Sequence, residues 1–198
     1  MVIADRFDVR MEVEAVYLRG DFSVVEIDQR WVLSAPLPEL SVGADIGGLP
    51  ALVPQQAPES KGLMLSWRDL GLPFYPHAVE YSYTAHLDSV PVAATIDVPA
   101  YEATALSVVV NGHEILLHVN GRVAHDITAF LRVGVNDIRV RVCGSMKNLL
   151  GPHFPETAVR KSAWPDMWRQ GPLHQPAAAS YDLLAYGLYE TPLLTVRF

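Results

Sequence analysis

The run from Leu106 to Pro152 contains, in order, VVVNGHEILLHV (Val108–Val119), HDIT (His125–Thr128), GVNDIRVRV (Gly134–Val142) and NLLGP (Asn148–Pro152). Asn111-Gly112 sits between two alternating apolar runs. Both residues favour positive φ, so the pair predicts a type I′ hairpin that sets Leu106–Val110 against Glu114–Val119. Asp126-Ile127-Thr128-Ala129-Phe130-Leu131 predicts one short helical turn, capped by Asp126 or Thr128 and ended by Gly134. Ile138, Val140 and Val142 then alternate with Arg139 and Arg141, the period of a strand with one packed face. The order hairpin, capped turn, strand and Gly-Pro exit argues for an all-β antiparallel sandwich.

The same period extends outward. Met11, Val13 and Ala15 alternate with Glu12 and Glu14. Val79, Tyr81, Tyr83 and Ala85 alternate with Glu80, Ser82, Thr84 and His86. Leu194, Val196 and Phe198 alternate with Thr195 and Arg197. Strands that are apolar on one face and polar on the other belong to antiparallel sheets, and two such sheets face to face bury their apolar sides together. No amphipathic helix of three or more turns is predicted. Two stretches read as irregular. Ser34–Pro58 is rich in Pro, Gly and Ala. Gly151–Pro176 holds Pro152, Pro155, Pro165, Pro172 and Pro176 beside Trp164 and Trp168. Loops of that length in a compact domain are commonly functional or packed across a sheet.

The chain has 198 residues, is 50% hydrophobic and 19% charged, which suits one domain over residues 1–198. A formal net charge of -7, with only Arg160-Lys161 adjacent among the basic residues, argues against a nucleic-acid or polybasic membrane surface. Cys143 is the sole cysteine, so an intrachain disulfide and a CxxC zinc site are both excluded. In its strand context it reads as a packing residue. The charged first fifteen residues lack the apolar core of a signal peptide, and no run is long enough to span a bilayer. The expectation is a soluble domain with no compartment indicated.

Several pieces together resemble the galactose-binding-like jelly-roll domains of bacterial glycoside hydrolases, both the family 2 type sugar-binding domain and the α-L-rhamnosidase-like accessory domain. They are Gly20-Asp21-Phe22, Gly71-Leu72-Pro73-Phe74-Tyr75, the Asn-Gly to Asp-Ile-Thr to Gly-Val-Asn-Asp-Ile succession, Asn148-Leu149-Leu150-Gly151-Pro152-His153, and Tyr181-Asp182-Leu183-Leu184. The likeness spans roughly residues 17 to 190. It implies a jelly-roll that is non-catalytic, accessory to or cut from a larger hydrolase, with carbohydrate and the parent's catalytic domain as partners. It implies no catalytic pair. A structural calcium ion is common in such domains, but this chain has no contiguous Asp/Glu cluster to locate one; no other cofactor is indicated. One departure stands out: where an aromatic-Pro-Tyr segment is expected before Asp-Ile-Thr, the chain reads Asn120-Gly121-Arg122-Val123-Ala124-His125.

Sugar rings lay their C–H faces on flat aromatics while amides, carboxylates and Arg hold the hydroxyls. By that chemistry the candidate ligand residues are Trp164, Trp168, Tyr75, Asn148, His153 and Arg160, with Trp31 and Trp67 also beside turn residues. The competing reading makes these rings plugs at the ends of the sandwich. Asn148 and Gly151 also read as turn residues. His77, His86, His113, His118, His125, His153 and His174 show no metal-ligand spacing. No GxSxG elbow is present, and Glu156, Asp166, Asp182 and Glu190 have no spacing that pairs them. Two alternatives to sugar binding are an interdomain or oligomerisation module and a small standalone hydrolase or lyase using the Gly151–Pro176 loop.

Overall fold

The computed structural model describes residues 18–36, 40–42, 52–54, 66–117, 124–155, 172 and 174–198, with backbone alone at 40–42 and 52–54. The strands are β1 (Ser23–Ile27), β2 (Arg30–Ser34), β3 (Leu40–Val42), β4 (Leu52–Pro54), β5 (Ala78–Leu87), β6 (Ala93–Asp97), β7 (Tyr101–Glu102), β8 (Ala105–Val110), β9 (His113–Leu117), β10 (His125–Asp126), β11 (Gly134–Cys143), β12 (Gly187–Leu188) and β13 (Leu193–Arg197). The larger sheet runs β3-β4-β5-β11-β8-β9 and the smaller one β10-β6-β13. Two-stranded pairs β1-β2 and β12-β7 complete the set. Every pairing is antiparallel except the brief β4-β5 contact.

The inward residues of the two sheets form one apolar cluster. Val79, Tyr81 and Leu87 of β5, Ile138, Val140 and Val142 of β11, and Leu106, Val108 and Val110 of β8 meet Ala94 and Ile96 of β6. Apart from Leu87, Ala94 and Ile96, these are alternating positions read in the sequence, so period two places this part of the core from the larger-sheet side. Burying a branched aliphatic side chain contributes about 1.5–3 kcal/mol, which makes this cluster the main source of stability.

The hairpin and the capped turn are joined by two asparagines. Asn111 and Gly112 take φ of 50° and 88°, and β8 pairs with β9 in the register that the turn dictates. The Asn111 amide donates to the Phe130 carbonyl and to Asn136 Oδ1, both at 2.8 Å, and its Oδ1 accepts the Asp137 N–H at 3.0 Å. Asn136 is fully buried, donates to the carbonyls of Arg132 and Gly134, and accepts the Arg132 N–H. One polar residue on the inward face of β11 therefore satisfies the backbone of the turn before it. Thr128–Phe130 is a 3-10 turn, and Asp126 accepts the Thr128 N–H and hydroxyl at 2.8 and 2.6 Å.

The outward face of the larger sheet carries an ion-pair ladder. Glu80, 5% exposed at its side chain, lies 3.1 Å from Arg139 and 3.3 Å from Arg141, and Arg141 reaches Glu114 at 2.9 Å.

Some expectations change. Ser34–Pro58 read as irregular, but β3 and β4 lie within it; strands of three residues show no usable periodicity and are held by pairing to the edge of β5. The hairpin β1-β2 carries apolar residues on both faces and so gave no alternation. Phe198 lies past the end of β13 and is exposed rather than in the core. Met11–Ala15 lies outside the described residues. Among the described residues no helix is long and apolar enough to cross a membrane.

Candidate functional site

Four segments converge at one end of the fold: the hairpin β1-β2, the 66–77 connection, the exit from β11 through residue 155, and residues 177–189. Each is fixed by a local device. Asp69 closes the first turn of the 66–77 connection by accepting the Ser66 N–H at 3.1 Å and its hydroxyl at 2.6 Å. Trp67 then points inward. Its indole N–H donates to Tyr81 Oη at 3.3 Å, its backbone N–H donates to the Tyr186 carbonyl, and its ring packs on Tyr75 and Tyr186. Gly144 makes that approach feasible, because a Cβ there would stand 2.7 Å from Trp67 Cζ3.

The exit from β11 is a single helical turn, Lys147–Leu150, followed by a cis Gly151-Pro152 bond. Gly151 has φ of 83°, and a Cβ there would meet the His153 N at 2.9 Å, so the bend requires glycine. Asn148, 2% exposed, donates to the carbonyls of Pro73 and Leu184 at 2.9 and 2.8 Å and accepts the Leu184 N–H at 2.8 Å. It clasps three segments at once, with both ends of its amide engaged by backbone. Lys147 Nζ donates to the carbonyls of Pro152 and Asp182 at 2.7 and 2.6 Å and lies 3.2 Å from Asp182 Oδ2.

Above this clasp lies a chain of half-buried rings. Trp31 meets Phe74 edge-on at 5.8 Å. Phe74 meets His153 and Tyr181, each at 5.8 Å. Phe154 packs on Tyr181 at 4.8 Å. His153 Nε2 is 2.8 Å from the Asn148 carbonyl; a carbonyl only accepts, so Nε2 carries the proton and Nδ1 is the acceptor nitrogen. Burial first, and then the Lys147 charge, hold the His153 pKa below its ordinary value; the hydrogen bond to Asn148 and the Asp182 charge oppose this. The Tyr75 hydroxyl is pushed up to about 12 by burial. On the hairpin side, Arg68 lies 5.1 Å from the Trp31 ring centroid and donates to Glu26 at 3.1 Å.

Of the candidate residues read from sequence, Asn148 and His153 lie together at this end, and Tyr75 lies one ring deeper, against Trp67 and His77. Trp164, Trp168 and Arg160 lie outside the described residues. The sequence reading did not single out Phe74, Phe154, Tyr181 or Lys147 as binding residues. Phe74 and Tyr181 fell within the family-like pieces, which was their only signal. Glu26 and Arg68 are 42 positions apart, and nothing local marks either. Among the described residues no group of three or more His, Cys, Asp or Glu is placed to hold a metal ion.

No protein-family model matches the chain, and no curated protein sequence matches it. Among solved structures, the rhamnosidase from Novosphingobium sp. PP1Y is similar over 97% of this chain, at 15% sequence identity and a TM-score of 0.36. The match covers 16% of that rhamnosidase chain. At that identity and TM-score the likeness assigns neither a family nor an activity.

Proposed function

We propose that residues 1–198 form one jelly-roll domain of galactose-binding-like type, accessory to a glycoside hydrolase, that binds carbohydrate without acting on it. The observation that carries this reading is the converging end itself. Half-buried rings of Trp31, Phe74, His153, Phe154 and Tyr181 adjoin two ion pairs, Arg68–Glu26 and Lys147–Asp182. Flat apolar surface beside charged hydrogen-bonding groups is what a sugar ring requires: C–H faces against the rings, hydroxyls toward donors and acceptors. In this reading Asn148 positions the site, while His153 and Tyr75 line it. Trp164, Trp168 and Arg160 also contact the sugar in this reading. No bond chemistry is involved, and binding needs no cofactor.

A glycan array tests this reading, with the wild type printed beside a Trp164→Ala/Trp168→Ala double variant that stays folded. The expected result is selective binding by the wild type that the double variant weakens. Absence of binding to any glycan at sub-millimolar sugar would overturn it.

One observation favours a second reading, an interdomain module. Ile27 and Val32 share one face of the hairpin β1-β2 and are exposed, at 51% and 39%. Grouped apolar exposure of this kind marks docking surfaces. Concentration-dependent association of the isolated chain, abolished by Val32→Asp, is the outcome this reading expects.

A further inference from the structure

Trp31 carries a polar atom that the fold leaves unused. Its indole Nε1 is buried and has no hydrogen-bond partner. Buried donors are nearly always satisfied, so an orphan marks a place where a partner is missing. In the β1-β2 register Trp31 stands directly opposite Glu26, and Arg68 closes the group by donating Nη2–H to Glu26 Oε2 while its guanidinium lies against the Trp31 ring. Among the described residues these contacts leave Glu26 Oε1, Arg68 Nε and Nη1, and Trp31 Nε1 without hydrogen bonds. The Arg68 and Glu26 side chains are 36% and 40% exposed, so both can be reached from solvent.

The remaining valences are complementary to one kind of ligand. One acceptor and several donors of zero net charge, beside a ring, fit two neighbouring hydroxyls of a neutral sugar. One hydroxyl donates to Glu26 Oε1 and accepts from Arg68; the next accepts from the indole N–H. A uronic acid would bring its carboxylate against Glu26 with no surplus cation to hold it, because Arg68 is already paired. The indole N–H is shielded in the ligand-free chain, so entry requires the hairpin to shift. Among the described residues the hairpin is joined to neither main sheet, and its backbone bonds to the body are Val24 N–H to the Gly71 carbonyl and Ala178 N–H to the Gln29 carbonyl.

We propose that Trp31, Arg68 and Glu26 form a subsite for a neutral sugar bearing vicinal hydroxyls, gated by the hairpin β1-β2. The inference rests on the carbohydrate-binding reading and names the ligand class for the same end of the molecule.

The test titrates the full chain, by NMR and calorimetry, with neutral methyl glycosides and the matching uronic acids. Trp31→Phe keeps an aromatic ring and deletes the donor along with the second ring of the indole; Glu26→Gln keeps the size and deletes the charge. The expected result is binding of a neutral glycoside with a shifted Trp31 indole N–H resonance, and about tenfold weaker binding of its uronic acid. Trp31→Phe should lose about tenfold in affinity, the worth of one hydrogen bond. Glycoside binding that Trp31→Phe leaves intact, or a preference for uronic acids, overturns the subsite while the carbohydrate-binding reading stands. Failure of the wild type to bind any sugar overturns both.

Discussion

Replacing Asn148 by Ala removes a side chain that hydrogen-bonds the 66–77 connection, the helical turn after β11 and the 182–188 segment together. Its amide makes hydrogen bonds of 2.9, 2.8 and 2.8 Å to the Pro73 carbonyl, the Leu184 carbonyl and the Leu184 N–H. The residue is 2% exposed, so water reaches its partners only if the segments separate. Each neutral bond contributes about 1 kcal/mol net, and an orphaned buried group costs about 1–3 kcal/mol, which puts the total near 3 kcal/mol. In a domain of this size 1 kcal/mol moves the midpoint by about 2–4 °C, so the variant should melt roughly 6–12 °C below wild type. Asn148→Asp separates geometry from chemistry. It still accepts the Leu184 N–H, but it presents a carboxylate to two carbonyls, so it should be no more stable than the Ala variant. Paired urea and thermal denaturation measure both. A loss below about 1 kcal/mol for Asn148→Ala would refute the clasp, because orphaned backbone groups alone exceed it.

Gly144→Ala places a methyl 2.7 Å from Trp67 and 3.2 Å from Tyr186, and overpacking of that kind should cost about 1–3 kcal/mol and alter tryptophan fluorescence; unchanged emission and stability would contradict the packing. Glu80→Gln leaves Arg139 and Arg141 facing each other without their shared carboxylate. Both arginines retain some solvent, so a loss of about 2 kcal/mol in urea denaturation is expected rather than the full cost of breaking a buried pair. His153 has its folded-state pKa held below the ordinary 6.5, so the unfolded chain binds the proton first as pH falls. Its contribution is fully present above pH 6.5 and is lost as pH falls through the folded value; His153→Gln should flatten that part of the stability profile. Tyr75 and Tyr81, both pushed up to about 12 from 10.0, act in the opposite sense: stability present below pH 10 should fall between pH 10 and 12.

The larger sheet was legible in the sequence because period two and one dipeptide decide it. In β5, β8 and β11 the apolar residues two apart, Val79 and Tyr81, Leu106, Val108 and Val110, and Ile138, Val140 and Val142, enter the core together, although Glu80, Ser107 and Val109 between them are buried too, and Asn111-Gly112 takes the positive φ values that set the register. Asp126 was legible as the residue that holds the turn, because its carboxylate accepts the Thr128 N–H, although Ile127 takes the N-cap position. The site was legible only in part. Asn148 and His153 lie in one short run with an unusual Gly-Pro bend, so they could be singled out locally. Their partners Pro73, Asp182 and Leu184 lie at least 34 positions away from Asn148, and no periodicity connects them. The hairpin β1-β2 escaped for a different reason. Ile27, Val32 and Leu33 are exposed, so its apolar residues do not follow the pattern of a half-buried strand.

The most direct test of carbohydrate binding at the converging end is an amide and indole chemical-shift map of the full chain during titration with a sugar that the glycan array identifies. The account predicts saturable shifts that cluster at Trp31, Arg68, Phe74, His153 and Tyr181 and leave Glu80, Arg139 and Glu114 unmoved. Shifts confined to the outward face of the larger sheet, or none at saturating sugar, would contradict it.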